Sequence, residues 1–446
     1  MSVRFHTLRF VCGFVAAALP LAACIAAQTP AAQDAAQPTR LTLQDALDRA
    51  RKNSTVFQAA VTDAAVSRED KNQARDALLP SVAYNNSAIY SQGNGAGNPV
   101  RFVANNGVHE YISQANVHQS LDVASFAQYR AAAAAASAAK ARAEIASRGL
   151  VVTVVQTYYT ALAAQKKLES ATKAADEGAQ FLQLTQSLER GGEVAHADVI
   201  KAELQANDRQ RQVQEARLAV LNSRLDLAVL LFPNFSDNFE LADDLHSDVP
   251  LPTLAEVQQR AARDNPDVRA ALSVVAQSGH EVLASRAGYL PGLSVDYFYG
   301  IDAARFATRT DGISNLGSSV VASLNIPVWN WGATQSRIKQ AELRKAQAQR
   351  ELSLAQRKLL AEIESLFREA ETASSELASL DRSAQLGAES LRLAMLRYRN
   401  GETNILEVAD AQNTAASSNA AFQDGAVRYR VALANLQTLT GELTTP

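Results

Sequence analysis

The chain has 446 residues, 47% of them hydrophobic and 20% charged, a balance that excludes an intrinsically disordered protein. It carries 43 basic residues against 46 acidic ones for a net charge of −3, and no Lys/Arg-rich tract occurs, so a nucleic-acid binder is excluded. The two cysteines, Cys12 and Cys24, both lie near the N-terminus, which leaves no later thiol pair for a disulfide or a Cys-ligated metal.

Residues 1–23 read as a secretory signal: a basic start, MSVRFHTLR, then an apolar stretch too short to span a membrane as a helix. Cys24 follows Leu21-Ala22-Ala23 in the pattern of a lipoprotein box, where the thiol would be lipidated. Ordinary cleavage near Ala27-Gln28 is the alternative. Residues 24–40 form a flexible leader.

The rest of the chain reads as one unit written twice. LTLQDALDRARKNS (41–54) parallels PTLAEVQQRAARDN (252–265), and LLPSVAYNNSAIY (78–90) parallels YLPGLSVDYFYGI (289–301). RGGEVAHADVIKA begins at Arg190 and RNGETNILEVADA at Arg399, an offset of 209 residues from 190 to 399. The first repeat, 41–231, is expected to run helix, strands near 80–90 and 108–121, long helix 125–189, tip turn 190–193 and return helix. The Pro- and Asp-rich 232–252 is the linker. The second repeat, 253–441, repeats the order with strands near 291–301 and 314–328, long helix 334–399 and tip turn 400–403.

In the second long helix Leu352, Leu359, Ile363, Leu366, Ala370, Ala373, Leu377, Leu380 and Ala384 follow a heptad seam, which demands supercoiling against another helix. At 1.5 Å per residue each long helix spans roughly 100 Å. The strand regions alternate with period 2. Leu293, Val295, Tyr297, Tyr299 and Ile301 share one face, as do Leu316, Ser318, Val320, Ala322, Leu324 and Ile326. Val82, Tyr84, Ala88 and Tyr90, then Tyr111, Ala115, Val117 and Leu121, do so less cleanly. This is the pattern of membrane β-barrel strands, with a soluble half-buried hairpin as the alternative for any one segment. The joining loops 91–107 and 302–312 are polar. Four strands cannot close a barrel alone and bare edges are not tolerated in hydrocarbon, so the chain must oligomerise.

Catalytic signatures are missing from the sequence. No G-x-S-x-G, P-loop or dinucleotide fingerprint occurs, and His109 and His118 have no partners at metal-ligand spacing, so neither an enzyme nor a cofactor or metal site is expected. Trp329 and Trp331 flank the last strand as interface anchors or as plain packing.

The two-fold repeat, the LP before each first strand, PVWNWG after the last strand and the two G-x-x-x-x-x-[DE]-V turns resemble the TolC-like outer-membrane efflux proteins. The resemblance covers essentially the whole mature chain. It implies a mainly α fold with membrane β: duplicated coiled-coil helices, and four strands per chain in a trimeric twelve-stranded barrel. Residues 232–252 and helix breaks near Asn53 and Pro266 would lie in a mixed middle region. It also implies an outer-membrane location with a long periplasmic portion, and partners comprising two further copies of the chain, outer-membrane lipid, a periplasmic adaptor (membrane fusion) protein and an inner-membrane pump or secretion transporter. The function it implies is a passive exit duct of a tripartite efflux pump or type I secretion system.

Both turns would then be tips of the tunnel, with Gly191-Gly192 and Asn400-Gly401 supplying positive φ. By the same resemblance Glu407 and Asp410 ring the aperture, and Asp198 bonds Tyr398 to hold it closed. Thr403 stands where the best-known member has an Arg. Arg190, Gly192, Arg399, Gly401 and Glu402 are the expected adaptor contacts. Acids at a helix start are also favoured by the dipole alone, and exposed turn residues often have no specific role. A non-conducting periplasmic scaffold or a trimeric surface adhesin is the alternative function. The adhesin predicts one terminal membrane anchor rather than two internal hairpins.

Overall fold

The computed structural model describes residues 39–90, 109–234, 239–245 and 250–441. The signal 1–23, Cys24, the leader as far as residue 38 and the loop 91–107 lie outside the described residues.

Each half opens with the same capping chemistry. Helix α1 (Leu43–Asn53) starts at Thr42, whose hydroxyl accepts from the Asp45 amide (3.2 Å) while the Asp45 carboxylate returns to Thr42. Helix α5 (Leu254–Asp264) uses Thr253 and Glu256 in the same capping box. Ser54 and Asn265 then break the chain into extended backbone and cap the next helices, α2 (Thr55–Asp76) and α6 (Pro266–Ala287). Pro266 sits at the start of α6, where its missing N–H costs nothing.

Beyond α2 come strands β2 (Ser81–Tyr90) and β3 (His109–Leu121), and beyond α6 come β5 (Gly292–Ala303) and β8 (Leu316–Asn325). They form one antiparallel sheet in the order β2-β3-β5-β8, so the two halves join through β3 and β5. The register stacks the alternation seen in the sequence. Val82, Val117, Tyr297 and Val320 form one cross-strand row, and Tyr84, Ala115, Tyr299 and Ser318 the next. One face is therefore largely aliphatic and aromatic, and the other small and polar. Every residue of the edge strands β2 and β8 is exposed. No described helix is long and apolar enough to cross a membrane.

Several local expectations need correction. The last strand ends at Asn325 rather than near 328, because Pro327 has no N–H for the ladder, and Ile326 leaves the sheet. The stretch expected as a plain loop, 302–312, begins with the last residues of β5 and leads into a small hairpin, β6 (Arg309–Thr310) with β7 (Ile313–Ser314), turned by Asp311 and Gly312 at positive φ. The end of the leader is strand β1 (Thr39–Leu41), and it pairs in parallel with β4 (Phe239–Leu241) from the linker. Tyr158 ties that pair down: its buried hydroxyl donates to the Ala242 carbonyl at 2.8 Å, with the Leu41 carbonyl 3.2 Å away.

The long helices are α3 (Val123–Arg190, 68 residues) and α7 (Ala333–Arg399, 67 residues). Helices α4 (His196–Leu231) and α8 (Ile405–Thr440) return along their far halves, while α2 and α6 pack on the halves nearer the sheet. All nine heptad positions of α7 are buried or half-buried, as a seam requires. Asn53 donates to the Leu231 carbonyl, so the end of α4 abuts the start of α2. Buried residues gather in three clusters: two at mid-length, around Val154, Leu162, Leu227 and Phe239 and around Ile363, Phe367 and Leu436, and one at the far end. By contrast none of the 22 residues of α2 is buried, and Val56 (75% exposed) and Val66 (55%) face outward. In a soluble single chain such an apolar face would be a liability.

Candidate functional site: the helical tips

The α3–α4 and α7–α8 turns close in the same way. At the first, Glu193 N–H bonds the Leu188 carbonyl and Gly192 N–H the Glu189 carbonyl, both at 2.9 Å. At the second, Glu402 N–H bonds the Arg397 carbonyl (2.9 Å) and Gly401 N–H the Tyr398 carbonyl (3.0 Å). Each is a Schellman motif. Only its second residue has positive φ, Gly192 at 76° and Gly401 at 74°. Gly191 (φ −76°) and Asn400 (φ −90°) do not, which corrects the expectation that both members of each pair would.

Behind the turns Phe181, Ala202, Ala394, Tyr398, Ile405, Val408 and Ala411 form a buried cluster drawn from all four helices. Tyr398 is 4% exposed and its ring lies 5.0 Å from that of Phe181. Its hydroxyl has no hydrogen-bond partner among the described residues. The neighbouring Thr185 hydroxyl spends its proton on the Phe181 carbonyl (2.9 Å), and half-buried Asp198 does not reach it within the chain. Burial holds the Tyr398 phenol above its ordinary pKa; nearby Thr185 opposes this and the Asp198 charge adds to it.

The acid pair of the second tip is unequal. Asn404 caps α8 by accepting from the Glu407 amide (3.1 Å). The Glu407 carboxylate folds back onto the turn, where it pairs with the Arg397 guanidinium and accepts from the Thr403 hydroxyl. Asp410 is exposed and makes no ion pair among the described residues. Arg190, Gly192, Arg399, Gly401 and Glu402 are all exposed at the extreme end.

Sequence reasoning missed Arg397, although a signal existed: Arg397 and Glu407 stand equally far from the centre of a tight helical turn, where side chains from the two helices meet. It also missed Arg209. This guanidinium, 4% exposed, donates to Gln212 (2.9 Å) and to Asn413 of α8 (2.8 Å), joining the two hairpins. The partners are 204 residues apart and nothing local pointed to the pair.

Known proteins share this arrangement to differing degrees. The sequence profile of the family described as "Outer membrane efflux protein" matches residues 46–231 and again 257–442, once per half. The alkaline protease secretion protein AprF of Pseudomonas aeruginosa is 24% identical over 422 residues, covering 90% of this chain and 85% of AprF. Outer membrane protein TolC of Escherichia coli is 23% identical, covering 90% and 82%. Outer membrane protein OprJ of P. aeruginosa is 26% identical over 236 residues, about half of this chain (53%) and of OprJ (47%). The structure of the outer-membrane channel OprN superposes with a TM-score of 0.77 at 21% identity, covering 90% of each chain. That of VceC from Vibrio cholerae gives 0.77 at 17%, covering 90% of this chain and 96% of VceC. At those identities the two structures speak for the fold.

Proposed function

The chain belongs to the outer membrane efflux protein family, and from that premise we propose that it is the outer-membrane exit duct of a tripartite efflux pump or type I secretion system. One observation carries the reading. The sheet is apolar on one face and polar on the other, and it ends in two fully exposed edges, β2 and β8. In lipid those edges must be paired, and β2 of one copy meeting β8 of the next satisfies both. Three copies of four strands give a twelve-stranded barrel with an apolar outside and a polar lumen. The same stacking covers the outward face of α2 and extends the long helices into a tunnel.

The duct is passive and its chemistry is that of a gate. The tip closes chiefly through the buried cluster around Phe181 and Tyr398. The Asp198 charge is felt at the Tyr398 phenol, and a shift of the two hairpins would let Asp198 accept from its hydroxyl. Arg397 and Thr403 draw the Glu407 charge into the turn, so Asp410 is the acid that faces the aperture of each copy. The exposed turns at Arg190, Gly192, Arg399, Gly401 and Glu402 offer the contact surface for a periplasmic adaptor, with an inner-membrane pump or secretion transporter beneath it. Trp329 and Trp331, 75% and 89% exposed, anchor the junction of barrel and tunnel at the membrane surface.

The test is single-channel recording of the purified oligomer in a planar bilayer. A small conductance that rises on replacing Tyr398 by Ala supports the duct. No conductance in the wild type or in Asp198 and Tyr398 variants would leave a scaffold. Co-purification from detergent-solubilised envelopes, with identification of the co-eluting adaptor and pump, tests the partners.

A further inference from the structure

The four long strands contain no Lys or Arg, although the chain has 43 of them. The register places the charges that remain. On the polar face β2 and β8 present only Ser, Ala, Asn, Gly, Val and Ile. Strand β3 adds Glu110 and His118, and β5 adds Asp296 and Asp302.

These groups fall at two heights. Strand β3 runs into α3 just past Leu121, and β5 starts at Gly292, so His118 and Asp296 mark the end that meets the helical tunnel. They are direct cross-strand partners: His118 Nδ1 lies 2.8 Å from Asp296 Oδ1, and Asn116 Nδ2 donates to the same oxygen at 3.3 Å. The side chains are 45% and 23% exposed, so both are reachable from the polar side. Glu110 and Asp302 lie toward the opposite end, about 20–26 Å away at 3.3 Å per residue.

We propose that Asp296 forms, once in each copy, a ring at the tunnel end of the barrel lumen that favours cations over anions, with His118 setting how much of that charge is felt. The proposal rests on the reading that the sheet closes around a lumen. Neutral His118 donates Nδ1–H to Asp296 and leaves a net negative charge per copy. Protonated His118 cancels that charge across the same hydrogen bond. No Lys or Arg on the four long strands competes, and the low-dielectric barrel wall strengthens the field in the narrow lumen. Of the other titratable groups on the polar face, Glu110 on β3 and Asp302 on β5 stand at the far end, and β2 and β8 contribute none. The preferred cargo is therefore cationic or zwitterionic rather than anionic.

The experiment uses the full chain in planar bilayers under a KCl gradient, in an E407Q/D410N background that removes the acid pair of the second tip. Reversal potentials are taken at about pH 7.5 and about pH 5. The parent is expected to prefer K⁺ at the higher pH, with the K⁺/Cl⁻ permeability ratio falling roughly twofold in Asp296→Asn. Acidification lowers the ratio in the parent but not in His118→Gln, an arm that does not depend on how well Asp296→Asn folds. Variants that conduct normally with the parent's ratio at both pH values overturn the proposal and leave the duct intact. A wild-type chain that never conducts, even with Asp198 or Tyr398 replaced, removes the duct and this proposal with it.

Discussion

Replacing Tyr398 separates two ways of holding the tip closed. The hydroxyl is buried without a partner, and an unsatisfied buried polar group costs about 1–3 kcal/mol. Tyr398→Phe removes that cost and keeps the ring against Phe181, so closure is expected to be unchanged or up to about 1 kcal/mol more stable. Tyr398→Ala instead empties the space at the centre of the tip cluster, which costs about 3–5 kcal/mol for a buried aromatic ring.

Hydrogen exchange of the reconstituted protein, followed in peptides covering the second tip, reads local opening directly. With a tenfold change per 1.4 kcal/mol, the Ala variant should exchange roughly 10²–10³ times faster and the Phe variant no faster than wild type. A Phe variant that opens as readily as the Ala variant would refute the reasoning, because closure would then rest on the hydroxyl, with Asp198 as its partner. The pH dependence gives a second check. The phenol's folded pKa is raised, so the closed tip holds its proton longer than the open one. Its stability is full below the ordinary value near 10 and falls as pH rises from there toward the folded value. Wild type should therefore open at alkaline pH where Tyr398→Phe does not.

Three further outcomes follow from the same geometry. Arg397→Ala breaks an exposed ion pair, so tip stability should change by no more than about 1 kcal/mol. The freed Glu407 charge should still raise the channel's preference for K⁺, and an unchanged reversal potential would count against its place at the aperture. Gly192→Ala and Gly401→Ala force a side chain into left-handed backbone at a cost of about 1–2 kcal/mol each. Gly191→Ala should be milder because its φ is already helical, and faster exchange in that variant than in the other two would contradict the turn geometry. Val320→Arg puts a charge on the apolar face of β8 and should lower insertion into liposomes by about 2–4 kcal/mol if that face meets lipid at mid-depth. Val321→Arg, on the polar face, should insert nearly normally, and a larger loss for it than for Val320→Arg would mean the faces are assigned the wrong way round.

What could be read from the residues in order was whatever depends on short spacing. The seam through Leu359, Ile363 and Ala370 and the alternation through Leu293, Val295 and Tyr297 are one-dimensional patterns, and each commits a stretch of backbone to bury one side. The paired G-x-x-x-x-x-[DE]-V turns are local in the same sense, since Gly192 and Gly401 answer to backbone conformation within six residues. Contacts between distant segments were beyond that reach. The joining of the halves through β3 and β5, the β1–β4 pair under Tyr158 and the Arg209–Asn413 bond became visible only in three dimensions. So did the unpartnered hydroxyl of Tyr398 and the capture of Glu407 by Arg397. The physical reason is that periodicity records which face of an element is buried and says nothing of what lies against it. Partners hundreds of residues away are chosen by packing, where hydrogen-bonding and charged groups must be satisfied together.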